Sequence, residues 1–463
     1  MRWAVRSPED TLLDPSCGDG SFLRFHSQST GIEREPLAAA LASQSAPGST
    51  VVVDDFFRWA STTPRQFDCV AGNPPFVRYQ LFAGETRRRA IELCSRQGVR
   101  FSGLSSSWAP FLVAAAGRLK PGGRMAFVVP AEVGHSPYAA PFINYLMRSF
   151  KRILFVAYRN KIFPKLSQDV WLLYAEGFGG NARQIEFARR ESFRVSNRPP
   201  TADIIVGDGD LEGSGNRLRW FLLPKDVLDF YRNLANSTST IRLREVARVG
   251  IGYVTGANDF FHLRPSTARS LRISKRFLLP TVRNSRDLPP RAVTTATVEA
   301  WSREDDPYLL LRLTGDVTLP KPVADYLSSD RADAARAGYK CRNRKPWYVV
   351  PDVVVPDGFL SYMSGREPCL VANQANCACT NSIHAVRLQN GLQFSTLQRA
   401  WRHPLAQLSS EIEGHPLGGG MLKLEPREAA AVVLPRGNLT LAKREISQLE
   451  EGTAILRRWR HHD

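Results

Sequence analysis

The sequence predicts an α/β chain: an open, largely parallel sheet covered by helices on both faces, followed by a second domain of mixed α+β character. Three observations carry this expectation. Strand-like apolar runs alternate with helix-like segments to about residue 177. A glycine turn introduced by an acid, "DPSCGDG" from Asp14, stands where the first strand should meet the first helix. The regular alternation then stops after Gly177. Strands separated by helices favour parallel pairing with both faces buried.

Taken in order, "TLLDP" reads as a short buried strand, and "SFLRF" beyond the glycine turn as a helix start. "TGIE" is a second strand, and "PLAAALASQ" a helix of strong formers behind a proline in its first turn. "STVVVDDFF" is a third strand and "FDCVAG" a fourth, ending directly in "NPPF". "SWAPFLVAAAGRL" has helical periodicity, "PGG" is expected to end it, and "RMAFVVP" is a fifth strand. "RILFVAYR" and "DVWLLYAEG" complete the set. The stretch "SNRPPTADIIVGDGDLEGSGN" is rich in Gly, Pro, Ser and Asp and reads as a linker or large loop. These boundaries give a first domain over 1–195, a connecting segment over 196–239 and a second, less regular domain over 240–463.

Composition narrows the function. The proportions, 43% hydrophobic and 23% charged, are those of a globular protein. No apolar run approaches the roughly 20 residues needed to cross a bilayer, so a cytoplasmic chain with no membrane partner is expected. Seven sparse cysteines do not suggest a disulfide framework, and the lone Cys-x-Cys of "NCACTN" is a poor match to zinc-ligand spacing; no metal is expected. The net charge of +18 is spread widely: 21 Lys and Arg face 14 Asp and Glu in residues 1–180, and 41 face 30 in the remainder. A polyanion is the natural partner, nucleic acid above all. "RNRKPWY" and "TRRRA" are candidate phosphate-binding stretches.

The acidic positions sharpen the first half. In an open parallel sheet, ligands sit outside the carboxyl ends of the strands, near the point where strand order reverses. Gly18 and Gly20 let backbone approach a ligand, and Asp14 can face a polar or cationic group. Alone, this turn could hold a dinucleotide, S-adenosylmethionine or nothing. Glu33 ends the second strand, where a carboxylate can accept both hydrogen bonds of a ribose diol. Asp55 ends the third, beside the apolar ring of Phe56, as an acceptor for an adenine amino group. A strand-end acid after each of three successive strands suits an adenosyl ligand with a methionine tail. After the fourth strand, Pro74 and Pro75 stiffen the backbone and remove two N–H donors. Asn73 adds a side-chain acceptor, so an exocyclic amine could be held with its lone pair aimed at an electrophile, and Phe76 could stack on the ring bearing it.

In this order, "DPSCGDGSFL", "DDFF", "GNPPF" and "LKPGGRMAFVVP" resemble the gamma-class (TaqI-like) DNA adenine methyltransferases. "LREVARVGIGYVTGANDFFHL", "YKCRNRKPWY", "CTNSIHAV" and "HPLGGGMLKLEP" resemble, more loosely, the target-recognition domain of that family. The resemblance implies a Rossmann-like class I S-adenosylmethionine-dependent methyltransferase sheet and a mixed α+β DNA-recognition domain. It implies transfer of a methyl group from S-adenosylmethionine to the 6-amino group of an adenine flipped out of duplex DNA. Carried over residue by residue, Asp14, Pro15, Ser16, Cys17, Gly18 and Gly20 would wrap the methionine part of the cofactor, Glu33 its ribose, and Asp55 and Phe56 its adenine. Asn73 would border both cofactor and target; Asn73, Pro74, Pro75 and Phe76 would form the catalytic loop. Phe163, in "KIFPKLSQDVWLLYAEG", would stack on the opposite face of the target base from Phe76. Arg342, Arg344, Lys345, Trp347 and Tyr348 would contact DNA.

The family's helix upstream of the first glycine turn has little counterpart here, since thirteen residues precede Asp14 and "RSPED" is a poor substitute; either the start is missing or the methionine pocket is closed differently. A monomer is expected, with a cognate restriction endonuclease or another defence subunit as partner. Sites of the "NPPF" type also serve methyltransferases of RNA or of protein glutamine, and a non-catalytic, partner-dependent DNA-binding subunit is a further alternative.

Overall fold

The computed structural model describes residues 3–102, 105–164, 168–315, 318–417 and 419–461. Within the resembling stretches, Lys165, Leu166, Ser167 and Gly418 lie outside the described residues. The chain divides into two compact units, Met1–Pro224 and Lys225–Asp463.

The first unit is built on a nine-stranded sheet. Its strands are β1 (Leu12–Asp14), β2 (Ser29–Glu33), β3 (Thr50–Val53), β4 (Phe67–Gly72), β5 (Leu119–Pro130), β6 (Arg152–Tyr158), β7 (Val170–Glu176), β8 (Gln184–Arg190) and β9 (Ile204–Gly207), in the spatial order β3-β2-β1-β4-β5-β7-β6-β8-β9. β1 through β5 pair in parallel. This is the Rossmann-like class I methyltransferase sheet, and its order reverses between β1 and β4, which opens a crevice at their carboxyl ends.

Local sequence explains the helices around it. α1 (Pro36–Ser45) has proline at its first position. α2 (Phe56–Thr62) is capped by Asp55, whose Oδ1 accepts from Arg58 N at 3.0 Å. α3 (Gly84–Arg96) and α4 (Trp108–Ala116) both lie between β4 and β5. α4 is apolar on every face and every one of its residues is buried, as an all-round apolar helix must be. α5 (Ala140–Ser149) follows β5.

Four expectations are corrected. "SFLRF" is no full helix but a single 3-10 turn, Leu23–Phe25; only fourteen residues separate Asp14 from Ser29, and the glycine turn uses up much of that span. "PGG" does not end α4, which stops at Ala116; it lies inside β5 beside an irregularity in the pairing with β4, with Gly122 at φ +79°. β7 is antiparallel to both β5 and β6, because the loop after Tyr158 is too short for a helical crossover. Residues 196–239 are not a plain linker. They carry β9, which pairs with β8 and extends the sheet, and they reach into the helix Lys225–Ala235 that opens the second unit.

The second unit is mixed α+β. Its main sheets are one of five strands (247–251, 383–388, 358–361, 370–373 and 292–293) and one of four (262–263, 309–311, 278–282 and 378–379). Separate apolar cores pack around Phe260, Phe261 and Tyr326, around Trp401 and Leu434, and around Phe359 and Val371. Among the described residues, no helix is long and apolar enough to cross a membrane.

Candidate cofactor and amine site

Asp14 closes β1 with no exposed surface. Its Oδ1 accepts from Ser16 N at 3.1 Å, while Oδ2 is buried with no hydrogen-bond partner among the described residues. Burial pushes this carboxyl up to about 7, opposed by the Ser16 N–H and reinforced by the nearby Glu33 charge. A buried acceptor without a donor is costly, and an ammonium group would relieve both the orphan atom and the desolvated charge. The neighbouring backbone is shaped for close approach: a Cβ at Gly72 would stand 2.6 Å from Asp14 Oδ1. Gly18 and Gly20 sit at φ +54° and +83°, the left-handed region that suits glycine. Cys17 is buried, and burial with the adjacent Asp14 and Glu33 carboxylates pushes its thiol up to about 12, which favours the neutral thiol.

Glu33, at the end of β2, reaches back to the glycine turn. Its Oε2 accepts from Gly18 N at 2.9 Å and its Oε1 from Glu35 N at 2.9 Å. Each oxygen keeps lone-pair capacity for a further donor. Asp55 stands two residues beyond the end of β3 rather than in the strand. One of its oxygens caps α2, and the other has no partner among the described residues. Phe56 is only 5% exposed, its ring 4.7 Å from that of Phe111 and 5.7 Å from that of Phe57. It is a wall packed from behind, with little free face.

The loop after β4 is fixed by two serines. Ser16 Oγ donates to the Asn73 carbonyl at 3.0 Å, tying the loop after β4 to the glycine turn. Ser107 Oγ donates to the Pro75 carbonyl at 2.6 Å and accepts from Val77 N at 2.9 Å, while Ser107 N donates to Val77 O at 2.9 Å. Ser107 was missed in the sequence because a serine before "WAPFLVAAA" reads as a helix cap; it makes no cap bond and spends its hydroxyl on the loop instead. The consequence is chemical. Among the described residues, the Pro74 carbonyl and the exposed Asn73 side-chain amide receive no hydrogen bond, so two acceptors remain free at the carboxyl end of β4. Pro75 is exposed and Phe76 half-buried beside them.

Glu132, in the 3-10 turn after β5, also escaped the sequence reading. It accepts from Trp108 Nε1 at 2.6 Å and so braces the start of α4, next to Ser107. Phe163 lies in the loop between β6 and β7, 38% exposed, on the same edge of the sheet as "NPPF".

In the second unit, the expected DNA-contacting stretch divides. Arg344 is committed inward: its guanidinium donates to the carbonyls of Val254 at 2.5 Å and Thr255 at 2.6 Å. Trp347 and Tyr348 pack on the core around Phe260, with the Arg336 guanidinium 5.1 Å from the Trp347 ring. All three stay half-buried, so these inward contacts leave each with an outer face. Arg342 and Lys345 remain exposed. The "TRRRA" run fares similarly, since on α3 Arg88 pairs with Glu85 and Glu92, and Arg89 with Glu85.

Comparison with known proteins places the chain among restriction-modification methyltransferases. Residues 37–163 match the family described as Eco57I restriction-modification methylase, and residues 216–460 the family described as type II methyltransferase M.Eco57I, C-terminal domain. The chain is 18% identical over 379 residues to the type II methyltransferase M.AccI of Acinetobacter calcoaceticus, covering 78% of this chain and 68% of that one. It is 29% identical over 134 residues to the type II methyltransferase M.TthHB8I of Thermus thermophilus, covering 26% of this chain and 29% of the relative. Among solved structures, the type IIL restriction-modification enzyme MmeI in complex with DNA superposes with a TM-score of 0.51 at 11% identity, covering 98% of this chain and 70% of that one; this likeness speaks to fold. The chain thus spans about two thirds of M.AccI and less than a third of the Thermus enzyme. Since the C-terminal family covers more than half of its length, the chain belongs to the restriction-modification methyltransferase family of M.Eco57I.

Proposed function

We propose that this chain transfers a methyl group from S-adenosylmethionine to the 6-amino group of an adenine turned out of duplex DNA, in the manner of the gamma class. Its cofactor is S-adenosylmethionine, and its setting is restriction–modification. One observation carries the reading. The Ser16–Asn73 hydrogen bond joins the acidic glycine turn to a loop whose Asn73 amide and Pro74 carbonyl are free acceptors.

The fit to the cofactor follows from the donor set. The unpartnered Oδ2 of Asp14 would take the methionine ammonium, Glu33 the ribose hydroxyls, and the free Asp55 oxygen the adenine amine, beside Phe56. When bound, the cofactor supplies an electrophilic methyl group on sulfur. The chain's own residues do the rest. The Asn73 side-chain oxygen and the Pro74 carbonyl hold the two amine hydrogens and favour the state in which positive charge grows on that nitrogen. Phe76 and Phe163 sandwich the base and offset part of the few kcal/mol that unstacking costs. Orientation in the rigid loop contributes a further entropic share.

The test is incubation with tritiated S-adenosylmethionine and unmethylated genomic DNA, followed by digestion to nucleosides. Label in 6-methyladenine that is lost in Asn73→Ala is the expected result. Label in cytosine, in RNA or in protein, or none despite cofactor binding, would overturn the adenine assignment.

A further inference from the structure

A hollow of about 640 Å³ in the second unit is lined by Arg366, Glu367, Arg402, Glu450, Arg457 and Arg458 among others. These side chains come from three separated stretches, the last of them the helix Lys443–Arg458. Four guanidinium groups against two carboxylates leave the wall positive. The acids do not cancel it evenly: Glu367 pairs with Arg457 at 3.5 Å, whereas among the described residues no carboxylate forms an ion pair with Arg366, Arg402 or Arg458.

The floor is preorganised. Arg457 Nε donates to Glu411 Oε1 at 3.2 Å, and the Glu411 side chain is 1% exposed. The same carboxylate takes the fully buried Arg460 at 2.8 and 3.0 Å. Two guanidiniums therefore share one buried carboxylate. Arg460 also donates to the carbonyls of Gly365 and Arg366 at 2.6 Å, which pins the loop presenting Arg366. Of the lining arginines, Arg457 is held by Glu411, while Arg366, Arg402 and Arg458 are exposed; guanidinium forks around a concave space match the bidentate geometry of phosphate oxygens. The volume lies in the roughly 300–1,000 Å³ range of ligand sites, more than one inorganic ion fills.

We propose that this hollow binds phosphate groups, and that they belong to the backbone of the DNA on which the chain acts. The phosphate chemistry stands on the arginines; its assignment to DNA rests on the function proposed above. The experiment measures binding of a labelled duplex to the full chain across a salt series, for wild type, Arg402→Gln, Arg458→Gln and the double variant, with ATP titrated separately. S-adenosylmethionine binding and thermal melting check that each variant is folded, and Arg366→Gln serves as the alternative if either substitution impairs folding.

Removing one arginine–phosphate pairing should flatten the slope of log K against log salt by about 0.9, so the double variant should lose nearly two. Unaltered ATP titrations alongside that flattening would assign the phosphates to DNA. Saturable ATP binding that the double variant abolishes, with the DNA slope unchanged, would keep the phosphate site but overturn its assignment to DNA. Unchanged slopes and no arginine-dependent ATP binding would overturn the site itself. A wild-type chain that binds no duplex at all would count against the proposed function, leaving the ATP arm to decide the hollow.

Discussion

The loop "NPPF" and the stretch "RNRKPWY" look alike as sequence: each is short, and each combines polar or charged groups with aromatic rings in a pattern that suggests a ligand. In the folded chain they diverge. The first follows β4 at the reversal point of the sheet, and hydrogen bonds from Ser16 and Ser107 occupy the Asn73 and Pro75 carbonyls while leaving the Asn73 amide and Pro74 carbonyl open. The second turns inward at three of its positions, with Arg344 on backbone carbonyls and Trp347 and Tyr348 on the core. A motif at the carboxyl end of a parallel strand inherits a position from topology; an arginine-aromatic cluster in an irregular domain inherits none.

The comparison is most directly broken at Asn73. Asn73→Ala should lower kcat by about 10²- to 10³-fold, the usual loss for one acceptor or donor aimed at developing charge, while cofactor affinity measured by calorimetry stays within a few-fold. A loss confined to KM would mean that the amide binds without acting in the transition state.

Ser107 separates loop position from loop composition. Ser107→Ala leaves "NPPF" intact but removes its anchor, and about a tenfold fall in kcat is expected, or roughly 1.4 kcal/mol, with little change in KM. Ser107→Thr, which keeps the hydroxyl, should restore most of it. Equal losses in both variants would point to general destabilisation instead.

On the other side of the comparison, Arg344→Ala should cost about 2 kcal/mol of stability through the loss of charged hydrogen bonds to carbonyls, seen as a lower melting temperature. Arg342→Gln with Lys345→Gln should leave melting unchanged and flatten the salt dependence of DNA binding instead. Were Arg344→Ala to affect only DNA binding, the inward assignment of this stretch would fail.

A separate effect concerns pH. The Asp14 carboxyl is raised from its ordinary value to about 7 in the fold, so it binds a proton in the folded state that the unfolded chain releases nearer pH 4. Its contribution to stability is present below about pH 4 and is lost as pH rises to about 7. Melting curves without cofactor should show this decline in wild type, and Asp14→Asn should be flatter. The smallest change is expected for Arg88→Gln: its exposed ion pairs on α3 contribute little, so stability should shift by less than about 0.5 kcal/mol.

Legible in the sequence were the alternating strands and helices, the acid and glycines after β1, the strand-end Glu33 and the "NPPF" loop after β4. These are local patterns, and in a parallel sheet the order of strands carries local pattern into place. The sequence did not yield β7 running antiparallel, β9 inside an apparent linker, or Ser107 as an anchor rather than a cap, because each depends on a partner distant in the chain. The same holds for the arginine hollow: Arg366, Arg402 and Arg458 have no shared motif, and only the tertiary fold brings their three separate stretches around one space. Backbone periodicity is written in neighbouring residues, whereas the pairing of a side chain is decided by whatever the fold brings within about 3 Å of it.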